Sequence, residues 1–215
     1  MTGSASQGED LTLAEAVPLG TVLLQRLLAD AGVRSFAIKG PAFVELGVRA
    51  PKESHDVDLF IHPADRAAAA ACLTGAGWFV LGYDLPPEID DIIYSTTYGH
   101  DMLPCTVDVH HVYPGLLADP GLVFEALWSE RTSVPLAGAQ AMAPAAEHAL
   151  IIEALHRLRS AEEQQWGDAA ERVVAGLRRP FDPLTVVAAA DEVGARWSVA
   201  PVVSALGGAR SDRTA

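Results

Sequence analysis

The sequence predicts an α+β fold, with a core of strands and helices over residues 11–142 and a C-terminal helical bundle over residues 143–208. Two observations carry this. Apolar residues recur with a period of two in some stretches and at three and four in others through the first part of the chain, but only at three and four beyond Pro144. Half of the 215 residues are apolar, enough for one sizeable core. No internal repeat is visible.

Taken in order, residues 1–10 are small and polar and read as a disordered lead. From Leu11 to Ala31, Leu13, Val17, Leu23, Leu24, Leu27 and Leu28 mark one helix, or two split near Pro18 and Gly20, with Gly32 as the stop. Arg34 to Ile38 is a short strand. Gly40 and Pro41 open a helix, proline standing where its missing N–H costs nothing. Lys39 and Gly40 thus occupy a strand-to-helix corner, which reads either as a phosphate cradle or as an ordinary turn with a solvated lysine. A loop over Arg49–His55 leads to a strand, Asp56–Ile61, then an alanine-rich helix, Pro63–Ala76, and a strand, Trp78–Leu81. An acidic loop from Gly82 to Asp91 precedes two paired strands, Ile92–Tyr98 and Cys105–Val112. Leu122–Trp128 is a short helix, and Arg131–Val134 and Ala139–Met142 are edge strands. Four helices follow, over Pro144–Arg159, Glu162–Leu177, Pro183–Val193 and Val199–Leu206, and residues 209–215 form a frayed tail.

Two strands carry the chemistry. In DVDLFI, residues two apart share a face about 6–7 Å from one another, so Asp56 and Asp58 present paired carboxylates while Val57, Leu59 and Ile61 face the core. In CTVDVHHV, Thr106, Asp108 and His110 alternate with Val107, Val109 and His111. If the strands are neighbours, three carboxylates converge, and their repulsion calls for a cation. An all-oxygen ligand set favours Mg²⁺ or Mn²⁺, ions that hold phosphates. His110 shares the face of Asp108 and is the histidine best placed for a supporting or substrate contact. His148 and His156 read as packing or surface residues, and Trp128, Trp166 and Trp197 as core anchors.

Charge narrows the partners. Fifteen Lys and Arg against 28 Asp and Glu give −13, which argues against broad nucleic-acid binding but not against an anion held by a metal. Cys72 and Cys105 have no metal-site spacing and suit reduced thiols in a cytoplasmic protein. The N-terminus shows no signal pattern, and no apolar run reaches the roughly 18 residues of a membrane span. Nothing in the pattern fixes an oligomeric state.

The pieces AIKGPAF, DVDLFI, AGW and TVDVHHV, in that order and spacing, together with APAAEHALIIEALH followed by Gly167 and Asp168, resemble the uncharacterised nucleotidyltransferase-like family of bacteria. That family is a branch of the DNA polymerase β-type nucleotidyltransferase superfamily, and the resemblance runs from about residue 20 to 205. It implies a mixed sheet with helices on one side, two metal ions and a bound nucleoside triphosphate. Asp56 and Asp58 would be metal ligands, and Asp108 would complete the site and serve as general base toward an acceptor hydroxyl. Lys39, Gly40 and Lys52 would lie by the phosphates, with His110 beside them. Better-known members carry a Gly-Ser pair before the acidic pair, whereas here the corner is Lys39-Gly40-Pro41. The family's arginine four positions before the first aspartate is Lys52 here, with Arg49 nearby, and His55 stands where a small residue is commoner.

The leading expectation is therefore a metal-dependent transferase moving a nucleoside monophosphate onto a small molecule, peptide or protein. Asn in place of Asp56, Asp58 or Asp108 is expected to abolish activity and leave the fold intact. A catalytically weak scaffold that binds a protein or peptide is the alternative, motivated by the missing serine. A metal phosphohydrolase is the third, motivated by His55, His62, His100, His110 and His111 near the same strands.

Overall fold

The computed structural model describes residues 11–82, 94–162 and 165–211. The expected polar lead, most of the acidic loop after Gly82, the start of the Ile92 strand and the end of the tail lie outside the described residues.

Helix α1 (Leu13–Asp30) is continuous through Pro18. Its first turn is fastened by Glu15 Oε2, which accepts the Thr12 N–H at 3.0 Å and the Thr12 hydroxyl at 2.6 Å. Gly32, at φ 77°, makes the left-handed exit. Strand β1 (Ser35–Ala37) leads through Lys39 into the six-residue helix α2 (Gly40–Glu45), and a loop brings the chain to β2 (Asp56–Ile61). A 3-10 turn (Pro63–Asp65) and α3 (Arg66–Gly75) precede β3 (Phe79–Leu81), β4 (Ser95–Gly99) and β5 (Thr106–His110).

These strands form one mixed sheet in the order β1-β2-β5-β4-β3. β2 and β5 run parallel at its centre, and the other pairs are antiparallel. Period-two alternation separates two faces. Val57, Leu59 and Ile61, all buried, look toward α1 and α3; a Cβ on Gly20 of α1 would lie 3.3 Å from Val57 Cγ2. The opposite face carries Asp56, Asp58 and Phe60. Phe60 and Phe36 stack with Phe124 of α4 (Pro120–Ser129), at ring separations of 6.2 and 5.4 Å. Helical residues therefore cover both faces of the sheet, where the resemblance implied one.

The two expected edge strands, β6 (Thr132–Leu136) and β7 (Ala139–Ala143), do not join this sheet. They pair with each other across a turn in which Ala137 and Gly138 both have positive φ, a geometry that matches the twist of a tight hairpin. Gln25 of α1 ties the hairpin down, its amide bonding both backbone groups of Met142 at 2.8 Å. Helices α5 (Ala146–Arg159), α6 (Trp166–Ala175), α7 (Pro183–Glu192) and α8 (Ala200–Ser211) complete the chain. Ten of the fourteen residues of α5 are buried, which makes it the central rod of this region. Among the described residues no helix is long and apolar enough to cross a membrane.

Candidate active site

The parallel pairing of β2 with β5 places Asp58 directly opposite Asp108, and Asp56 opposite Thr106. Residues in register on parallel strands share a face, so the three carboxylates stand on one side of the sheet. Asp58 is buried, whereas Asp56 and Asp108 are half-buried.

Asp58 is the most heavily engaged of the three. Its Oδ1 meets the ammonium of Lys39 and, at 2.9 Å, Nε2 of His110. An ionised carboxylate only accepts, so the imidazole donates through Nε2. Burial alone would raise the Asp58 carboxyl, but the His110 hydrogen bond and the Lys39 charge outweigh it and hold its pKa below the ordinary range. Asp58→Asn would therefore remove a buried structural anchor as well as a carboxylate, which separates it from Asp56 and Asp108. The ring of His110 is packed against Tyr94 and Tyr113 at 6.0 and 5.9 Å.

Lys39 reaches Asp58 because the backbone is bent to aim it. At φ 60° and ψ −154°, it occupies a region that essentially only glycine visits, and Gly40 follows at φ 49°. Ser54 borders the corner, its Oγ 3.5 Å from where a Gly40 Cβ would stand. The corner thus has a hydroxyl beside its glycine, supplied from the loop rather than from the next residue.

Asp108 accepts a 2.5 Å hydrogen bond from the hydroxyl of Thr97 on β4, its cross-strand partner. Asp56 takes a hydrogen bond from its own backbone but, among the described residues, none from another side chain. Burial first, then the charges of Asp58 and Asp108, push its carboxyl above the usual range. Three carboxylates facing one cation, with one of them held up by the others, is the imbalance a divalent ion relieves, so the residues present fit Mg²⁺ or Mn²⁺. Asp58, Asp108 and His110 bring one ligand atom each within 4.8 Å of one another. Asp56 is outside this trio and His110 is inside it, a substitution that local alternation did not anticipate.

Lys52 sits on the exposed loop before β2 and lines a cavity of about 510 Å³ with Arg49, Glu153, Arg157 and Arg172. Thr97, Ser54, Arg157 and Arg172 were missed in sequence, whereas Arg49 was noted near the expected arginine position. The remaining histidines do not gather. Nδ1 of His62 accepts the Ala64 N–H at 3.1 Å and Nδ1 of His100 the Met102 N–H at 3.1 Å, while His55 is exposed. Among the described residues, the two groups able to hold a metal ion each contain a single histidine, His110 in one and His148 in the other. Trp128 is half-buried and packs against the core, 5.7 Å from Phe124, but Trp166 and Trp197 are 43% and 84% exposed, which corrects their reading as core anchors. Both flank a surface cavity beside α5, so their rings meet solvent on one side.

His148 of α5 is buried, with Nε2 3.3 Å from Glu192 Oε2 and Nδ1 3.8 Å from Glu130 Oε2. Burial lowers its pKa, and that of His156, below the usual imidazole value, in His148 against the opposing pull of Glu192 and Glu130. The unfolded chain then binds more protons than the fold, so stability present above the ordinary pKa of 6.5 is lost as pH falls through it. The melting temperature, followed by scanning calorimetry, is expected to fall between about pH 7 and pH 5, and less steeply in His148→Gln; a flat profile in the wild type would contradict these buried neutral imidazoles.

The family described as uncharacterised nucleotidyltransferase matches residues 17–203. Two solved structures share the fold. The solution structure of the antibiotic-resistance factor ANT(2'')-Ia superposes with a TM-score of 0.50 at 13% identity, covering 94% of this chain and 100% of that one. An antigenic nucleotidyltransferase-like protein from Paracoccidioides brasiliensis gives a TM-score of 0.50 at 16% identity, covering 89% and 93%. None of the curated proteins matches the sequence.

Proposed function

The chain belongs to the uncharacterised nucleotidyltransferase family, and from that premise we propose that it moves a nucleoside monophosphate from a nucleoside triphosphate onto a hydroxyl-type acceptor. The observation that carries this reading is the strand register that sets Asp58 against Asp108, with Asp56 on the same face and a lysine corner beside them. Asp56, Asp58 and Asp108 would hold Mg²⁺ or Mn²⁺. When bound, the ion neutralises phosphate charge and favours the alkoxide of the acceptor.

The chain's own residues supply the rest. Asp108, with one oxygen fixed by Thr97, keeps the other free to take the acceptor proton. Lys39 and His110 hold Asp58 ionised and immobile, so that its orientation requires no reorganisation when substrate arrives. Lys39, Gly40 and Lys52 lie on the phosphate side, and His110 supports the same edge. Catalysis of this type is mostly positioning and charge neutralisation, which an acidic protein can perform locally. A small-molecule acceptor is favoured, because cavities of about 510 and 360 Å³ open beside α5. The free thiols of Cys72 and Cys105 suit a reducing, cytoplasmic setting.

A scaffold reading has one observation in its favour: the Lys39 ammonium and His110 already pair with Asp58, as a structural ion pair would. Calorimetric titration of ATP, GTP, CTP and UTP with Mg²⁺ separates the two. The transferase should bind at least one triphosphate in a metal-dependent way and lose that binding in Asp56→Asn/Asp108→Asn. No triphosphate binding, alongside a stable protein or peptide complex, would support the scaffold.

A further inference from the structure

The cavity beneath the loop before β2 has a charge opposite to that of the protein around it. It is enclosed by residues 48–52, the C-terminal half of α5 and the inner face of α6. Four of the chain's fifteen Lys and Arg line it, namely Arg49, Lys52, Arg157 and Arg172, against a single acid among the described residues, Glu153. In a chain of net charge −13, such a concentration of cations around about 510 Å³ opposes the general field.

Glu153 organises the floor of the cavity. It is buried, accepts the Arg157 Nε–H at 2.8 Å and faces Arg49 at 3.8 Å. One carboxylate cannot neutralise both guanidinium groups, and the buried Nε of Arg49 has no hydrogen-bond partner. Lys52 and Arg172 lie exposed at the rim with no ion pair among the described residues. Four cations around one cavity suit an anion with several oxygens, and planar guanidinium groups match phosphate oxygens in pairs. The volume falls in the range of small-molecule sites.

We propose that this cavity binds a phosphate-bearing small molecule. The excess of cations stands on its own, and the choice of phosphate rests on the transferase reading. Two sources share that chemistry, the polyphosphate tail of the donor nucleotide and a phosphorylated acceptor. Lys52 is four residues before Asp56, so a ligand here lies at the N-terminal edge of the carboxylate strand.

The test is calorimetric titration of inorganic tripolyphosphate, without divalent metal, into the wild type, Asp56→Asn and Lys52→Gln/Arg172→Gln. Both replaced cations are exposed, and melting curves check that the double variant is folded. Equal binding to wild type and Asp56→Asn, weakened at least about tenfold in the double variant, is the expected result. No binding to the wild type, or undiminished binding to the folded double variant, overturns the proposal. Repeating the titration after saturation with a non-hydrolysable nucleoside triphosphate and Mg²⁺ identifies the source. Loss of tripolyphosphate binding assigns the cavity to the donor, and persistence assigns it to a phosphorylated acceptor. Tripolyphosphate binding in a protein that takes up no nucleotide would sink the transferase reading and leave the anion cavity standing.

Discussion

Asp56→Asn is expected to lower nucleotidyl transfer by about a thousandfold or more while leaving the melting temperature unchanged or raised. A thousandfold is about 4 kcal/mol of transition-state stabilisation, within what a lost ligand of a catalytic ion costs. The stability half of the prediction follows from the direction of its pKa. Burial and the neighbouring Asp58 and Asp108 disfavour the charged form of Asp56, so the neutral amide removes a repulsion from the fold. Loss of activity with gain of stability is the mark of a residue kept for chemistry rather than packing. Asp108→Asn should be equally inactive at near-normal stability, since the amide oxygen can still accept from Thr97. Transfer rates and calorimetric melting on the same preparations decide the matter. Wild-type turnover in either variant would remove that residue from the metal site.

Asp58→Asn is expected to behave differently, losing activity and about 3 kcal/mol of stability together. The carboxylate is buried and is the ion-pair partner of Lys39, whose side chain is only 11% exposed. Removing one member of a buried pair leaves the other desolvated and unpaired, a change that costs about 3–5 kcal/mol, with the retained His110 contact placing this case at the lower end. For a chain of this size that corresponds to a drop of about 10 °C in melting temperature. The double replacement Lys39→Met/Asp58→Asn should recover most of the stability and none of the activity. An unchanged melting temperature in Asp58→Asn would show that the Lys39 contact contributes nothing to the fold.

Several levels of this protein were legible in its sequence. The alternation in DVDLFI and TVDVH assigned each aspartate to a face, because side-chain direction in a strand depends only on parity. Proline at a first helical turn marked the start of α2, because that position needs no N–H. The order of these pieces also pointed to the family that matches most of the chain.

Other features depended on partners distant in sequence. That β2 and β5 are parallel neighbours in a register opposing Asp58 to Asp108 is decided by the packing of the whole sheet, and no local period encodes a pairing partner. The same holds for the contact of Lys39 with Asp58, which an unusual backbone conformation makes and no local pattern announces. The basic cavity is the clearest case. Arg49 comes from a loop early in the chain, Arg157 from α5 and Arg172 from α6, each unremarkable alone, and only the docking of the helices against that loop gathers them. Sequence determined which face of each strand and helix is apolar, because that is a matter of neighbouring residues. Tertiary structure decided which charges meet, because an electrostatic site is defined by distance in space, and distance in space is set only when the faces are packed.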